Sequence, residues 1–255
     1  TAQIPSSLGA TAFAEDPQQA TFVWRVSQGF ETNNYTLVGL NYSHKFNDKF
    51  KNSTSIFYNY LDKEEAAHFA IFDEITKGFG FRTRFSGNFN FLGKNSDFSF
   101  GAELFKDEYD WDEFENLWRS NNDNGSLRGE SVTRNKEFRS QWNAFGTLLL
   151  PFSEKFSAQL GLNLNKTDYD YRDLFEYSGV NNRNAGRNFK AIVLPNFNLS
   201  YAFSENQKLY ANISRGFSNP GLEQTLNPEG VINPDIDQET GINYELSTSL
   251  YLDER

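Results

Sequence analysis

Between residues 77 and 91 the chain reads KGFGFRTRFSGNFNF, with phenylalanine at nearly every second position and glycine, arginine, serine or asparagine in the gaps. Successive side chains of a β-strand point to opposite faces, so Phe79, Phe81, Phe85, Phe89 and Phe91 share one face with Thr83 and Gly87. Gly80, Arg82, Arg84, Ser86, Asn88 and Asn90 take the other. A helix would scatter the same rings around its axis, and aromatic residues favour strands. The alternation returns in SAQLGLNLN, where Ala158, Leu160, Leu162 and Leu164 oppose Gln159, Gly161, Asn163 and Asn165. It returns again in GINYELSTSL, where Ile242, Tyr244, Leu246 and Leu250 oppose Asn243, Glu245, Ser247 and Ser249.

This pattern predicts strands over about residues 35–45, 50–61, 77–91, 98–106, 138–150, 156–167, 189–203, 208–217 and 240–252. Four short polar connections between apolar, mostly aromatic residues, at 46–50, 91–98, 152–156 and 203–209, read as hairpin turns of one repeated unit. The other connections, 62–76, 107–137, 168–188 and 218–239, read as long loops, and residues 1–33 as a further loop. Consecutive antiparallel strands place alternate connections at opposite ends of a sheet. Tight turns therefore gather at one end and long loops at the other, as in an outer-membrane barrel. A two-faced strand suits either that barrel or a soluble β-sandwich. Length favours the barrel, because a tilted membrane strand needs about 9–11 residues and sandwich strands are usually shorter. An arginine facing lipid at mid-bilayer costs about 2–4 kcal/mol, and an acid less. Arg82, Arg84 and Glu103 are accordingly expected to line the lumen, with Glu103 reaching Arg84 across the turn. The expected fold is all-β: an antiparallel transmembrane β-barrel with short periplasmic turns and long external loops.

Composition agrees. The 255 residues are 38% hydrophobic yet include 26 Phe, 12 Tyr and 4 Trp. No apolar run is long enough for a membrane helix, and a mean hydropathy of −0.66 is compatible with barrel strands that alternate apolar and polar positions. Cysteine is absent, which removes disulfides, cysteine zinc sites and cysteine nucleophiles. The chain opens at Thr1 and has no methionine, so it reads as a processed or partial chain. A net charge of −10 argues against a nucleic-acid partner. The four long connections together carry more negative charge than the whole chain, so that end of the molecule repels polyanions.

Candidate chemistry points to binding rather than catalysis. With only His44 and His68, no nucleophile, base and acid assemble, and neither a cofactor nor a metal is called for. The acidic clusters at 106–115, 168–173 and 233–240 lack the glycine and terminal glutamate of an EF-hand and read as solvated loops. Ligand capture by such loops combines flat aromatics with hydrogen-bond donors. Trp111, Trp118 and Arg119 in the longest loop, and Tyr169, Tyr171, Arg172, Arg183 and Arg187 in the next, are the candidates. Tyr109 and Tyr169 at strand ends read as well as part of an interfacial aromatic girdle.

The stretch from 208 to 252, KLYANISRGFSNPGLEQTLNPEGVINPDIDQETGINYELSTSLYL, resembles the TonB-dependent outer-membrane receptors. The resemblance rests on Leu209, Tyr210, Ala211, Ser214, Arg215, Gly216 and Phe217 in one strand, on Pro220, Asn233 and Pro234 in the loop, and on Glu239, Thr240, Tyr244, Glu245 and Leu246 in the next strand. Gln238 and Ser247 depart from the family's usual Pro and Gly. The resemblance implies a middle portion of a barrel of about 22 strands around a plug. It implies an outer membrane of a Gram-negative bacterium with its lipid as surroundings, TonB as the partner that supplies energy through the plug, and a ferric siderophore or similar scarce nutrient as cargo. Haem, cobalamin or an oligosaccharide are the alternative cargoes, and a passive porin or a soluble β-sandwich binding module the alternative classes.

Overall fold

The computed structural model describes residues 2–3, 7–175, 184–204, 206–221, 225 and 233–250. Among them one sheet forms, with eleven strands in the order β1-β2-β3-β4-β5-β6-β7-β9-β10-β11 and β8 paired to β7. The strands are β1 (Ala2–Gln3), β2 (Phe30–Asn47), β3 (Phe50–Ala66), β4 (Ala70–Phe91), β5 (Lys94–Asn116), β6 (Arg128–Pro151), β7 (Phe156–Asp173), β8 (Ala185–Asn188), β9 (Ile192–Ser204), β10 (Gln207–Ser218) and β11 (Glu239–Leu250). Every neighbouring pair is antiparallel and the described sheet does not close on itself. Residues 1–33, read as a loop, contain the short helices α1 (Ala10–Glu15) and α2 (Phe22–Ser27) and the start of β2.

All nine expected strands are present, and several run further than the alternation suggested. β6 has 24 residues, about 80 Å of extended chain, well beyond a hydrocarbon core of about 30 Å. The segment 62–76, expected as a long loop, is mostly strand, closed by a short turn at the end opposite the four expected ones, in which Ala67 and Ala70 exchange backbone hydrogen bonds. Its charges concealed it, and they pair along the ladder: Lys63 lies 3.2 Å from both Glu65 and Glu74, and Arg128 bridges Glu64 and Asp73. The acidic stretches 106–115 and 168–173 are likewise strand rather than loop, which shortens the longest connection to residues 117–127.

The four tight turns share one device. Asn47 Oδ1 accepts from the Lys49 amide, Asn90 Oδ1 from Gly93, Ser153 Oγ from Lys155 and Phe156, and Ser204 Oγ from Asn206. A short polar side chain two or three residues upstream satisfies amides that no ladder reaches. Between Phe91 and Lys94 both central residues, Leu92 and Gly93, have positive φ (52° and 77°), the geometry that matches strand twist in a two-residue hairpin.

Register carries the two faces across the whole sheet. On one face Val38, Tyr58, Phe79 and, one strand on, Leu104 with its neighbour Trp142 lead to Leu164, Phe197, Ile213 and Tyr244. These side chains stay open: Phe79 is 54%, Leu104 53% and Leu162 55% exposed. A sandwich would cover them with a second sheet, and among the described residues there is none. Toward the tight turns the same face carries a run of touching rings, Phe46, Phe50, Phe85, Phe98 and Phe100, with centroids 5.2–6.5 Å apart. The opposite face is polar: Asn41 donates to Ser55, Asn165 to Asn143, and Asn212 to Asn198, which donates to Asn196.

Glycines on the polar face make room for rings. Gly80 lies between Phe57 and Phe105 in the adjacent strands, whose rings meet over it at 6.1 Å. A Cβ at Gly80 would fall 2.0 Å from the Phe57 ring, and one at Gly101 would fall 2.1 Å from the Thr83 carbonyl.

Candidate functional site

At the end away from the tight turns, the polar face of β5 to β8 gathers aromatic and charged side chains. The alternation that sends Glu103 to this face also sends Asp107 and Trp111; the opposing residues on β6 are Arg139 and Asn135. Arg139 grips Asp107 with Nε and Nη2 and lies 5.9 Å from the Phe105 ring. Next to Arg139 stands Tyr169, and Tyr171 donates its hydroxyl to Asn135 Oδ1 at 2.5 Å. Tyr169 pairs in turn with Arg187 on β8. The Arg187 guanidinium sits 5.1 Å from the Phe189 ring centroid, donates to the Ile236 carbonyl, and lies 3.8 Å from Asp237. The last connection is anchored here as well: Asn219 donates to Thr167, and Gln238 donates to Asn219. Lys63 and Glu74 carry the cluster on toward β3.

The structure brings together four of the expected ligand residues, Trp111, Tyr169, Tyr171 and Arg187, on this face. It separates the others. Trp118 is 3% exposed, and its indole N–H donates to the His68 carbonyl at 2.7 Å, which makes it a brace. Arg119 stacks on the outer side of that ring, 4.4 Å from its centroid, at the tip of the connection 117–127. Arg172 follows the apolar-face parity, pairing with Asp170 and stacking 4.7 Å from Phe138, so it points away from Tyr171. Arg183 lies outside the described residues. Tyr169 is 7% exposed on the polar face, so it is no part of a lipid girdle.

Arg82, Arg84 and Glu103 all occupy the polar face. Glu103 stands directly opposite Arg82 and pairs with it; Arg84 is opposite Gly101. The expected partnership of Glu103 with Arg84 is thus corrected by two residues, because the two-residue turn starts β5 at Lys94 and not at Phe98. Arg139, Asp107 and Asn135 were absent from the sequence-based set. The signal for them was available in the parity of β5 and β6, but the strands had been ended at 106 and begun at 138.

His68 caps the β3–β4 hairpin, its ring 5.2 Å from Trp24 and 5.1 Å from Phe69. Around it α2 is tied to the β5–β6 connection, with Ser126 donating to the Ser27 carbonyl and Gly125 to the Val26 carbonyl, and Asn116 joins that hairpin to β3–β4 by donating to the Ala67 carbonyl. Among the described residues no group of three metal-ligating side chains forms.

A single antiparallel sheet with a continuous open apolar face, a polar face rich in amides and ion pairs, and tight turns at one end is the wall of a membrane β-barrel. The family model for the TonB dependent receptor-like β-barrel matches residues 3–255, and the chain belongs to that family. Among solved structures, the ferric citrate transporter FecA in its unliganded form matches at a TM-score of 0.74 and 16% identity, over 96% of this chain and 36% of that one. The ferric-catecholate import receptor Fiu from E. coli K12 matches at 0.72 and 12%, over 98% and 42%. The copper transporter OprC matches at 0.64 and 13%, over 86% and 37%. Identities this low show the fold, and the chain spans well under half the length of each of these proteins. Comparison with curated proteins gave no significant match. The family is one of outer-membrane receptors and transporters rather than enzymes. Membrane β-barrels turn an apolar face to lipid and a polar face to the bore.

Proposed function

We propose that this chain is the wall of a receptor that imports a ferric siderophore, or a similarly scarce nutrient, across the outer membrane of a Gram-negative bacterium. The observation that carries the reading is the meeting of Trp111, Tyr171, Arg187 and the Arg139–Asp107 pair on the bore face, at the end opposite the tight turns. Four of the five short turns gather at the other end, as the periplasmic turns of such barrels do, which puts this cluster at the external mouth. Flat rings beside fixed donors, partly shielded by the residues around 219 and 236–238, suit the capture of a compact chelate. Energy comes from TonB acting on a plug that lies beyond these residues, and the receptor makes and breaks no covalent bonds.

Growth of a strain lacking the receptor gene on single defined iron sources tests the cargo. Loss of growth on one ferric chelate, restored by the wild-type gene, identifies it; unchanged growth on every chelate discards the siderophore. In the receptor so assigned, Trp111→Ala and Arg187→Ala weaken cargo binding while the protein still assembles in the membrane.

A further inference from the structure

The bore face holds a second cluster, at the opposite end from the mouth. Lys45 and Lys51 are direct cross-strand partners on β2 and β3. Arg84 stands on the same face one diagonal step away, since Ser86 pairs with Lys51 and Arg84 with Ser53. All three line a cavity of about 590 Å³ beside the tight turns, together with Lys49, Ser99 and Thr147. Like charges placed directly opposite destabilise a sheet. Several other cations on this face are paired, as Arg82 with Glu103, Arg139 with Asp107 and Lys63 with Glu74. The side chains of Lys45, Lys51 and Arg84 make no ion pair or hydrogen bond among the described residues, although Asp48 and Asp97 border the same cavity. In a protein of net charge −10, three cations left facing one another across a cavity are an anomaly that a bound anion would resolve.

We propose that Lys45, Lys51 and Arg84 form an anion-binding site at the periplasmic end of the bore wall, built for a ligand that bears several carboxylates. The arginine supplies a planar fork that holds one carboxylate through two hydrogen bonds, and the lysines supply point charges for the others. The carboxylates come either from a small polycarboxylate or from an acidic segment of the polypeptide lying in the bore. The site follows from the sheet alone, so its test is independent of the cargo assigned above.

The full-length receptor in detergent at low salt is titrated calorimetrically with tricarballylate, and melting temperatures are measured alongside. Variants Lys51→Gln, Arg84→Gln and the double K45Q/K51Q are compared with wild type and with Lys190→Gln, a cation outside the cavity. If the ligand is a small anion, tricarballylate binds the wild type and Lys190→Gln alike, binds each site variant about tenfold more weakly or worse, and is displaced by salt. If the ligand is an acidic segment, tricarballylate does not bind at this site and K45Q/K51Q melts below wild type. Binding that the substitutions leave unchanged counts as no binding here. The proposal is overturned if such a protein also melts at or above the wild-type temperature in K45Q/K51Q, because relief of an unoccupied Lys–Lys pair stabilises whereas loss of an anion's partners destabilises.

Discussion

Single side chains divide the external end into groups that brace and groups that face the bore. Trp118 braces: with its indole buried against the hairpin tip, Trp118→Phe loses the bond to His68 and costs about 1 kcal/mol. Trp118→Ala leaves a hole and costs about 3–5 kcal/mol. Hydrogen exchange of the amides at 66–71 is expected to rise in both, more in the second, with cargo affinity following only as the hairpin frays. A residue-scale effect of pH belongs to Glu154, in the turn between β6 and β7. The hydrogen bond from Lys94 Nζ, and then the lysine's charge, hold its carboxyl below the usual range. The stabilisation is complete above the ordinary glutamate range and fades as pH falls through the lowered value. Both groups meet solvent and salt screens them, so the expected readout is titration by NMR: Lys94→Gln moves Glu154 back up.

Elements show how far the sequence could be read. The period-two pattern located every long strand, and the family likeness in β10 and β11 was legible because those strands carry their own motif. What failed was the ends. Charge usually marks solvent, so Glu64, Asp73, Asp110 and Asp112 read as loop; they are half-buried and ion-paired, on ribbons that continue past the apolar band as strand. Trp118 and Arg172 were grouped with Trp111 and Tyr171 for the same reason, because residues placed in loops have no parity, and parity is what sends Arg172 to the other face. Turn geometry also sets the stability of these elements. Leu92 holds φ at 52°, a region costly for leucine, and Leu92→Asn is expected to raise the melting temperature through a gain of about 0.5–1 kcal/mol. Gly101→Ala has the opposite sign, since its Cβ meets the Thr83 carbonyl, and overpacking of this kind costs about 1–3 kcal/mol. Gly216→Ala, with nothing within 4 Å, is tolerated. Thermal melting of the three variants side by side checks both signs.

At the scale of the whole molecule, everything depends on which side of the sheet meets lipid. The apolar face remains open along the strands in a way no water-soluble sheet sustains, and patches far smaller than this already mark interaction surfaces. The polar face, by contrast, pairs many of its side chains through amide chains and ion pairs and gains nothing from hydrocarbon. Neighbouring positions can therefore be set against each other. Leu162 and Asn163 are adjacent on β7, at one depth and on opposite faces. Leu162→Arg is expected to cost about 2–4 kcal/mol in bilayer-reconstituted folding, whereas Asn163→Arg stays within about 1 kcal/mol of wild type. The comparison uses one charge, one strand and one depth, so backbone propensity and distance from the interface largely cancel and the difference reports the face alone. Equal costs at the two positions would place the same medium on both sides of β7, and the assignment of a lipid side and a bore side would then be lost.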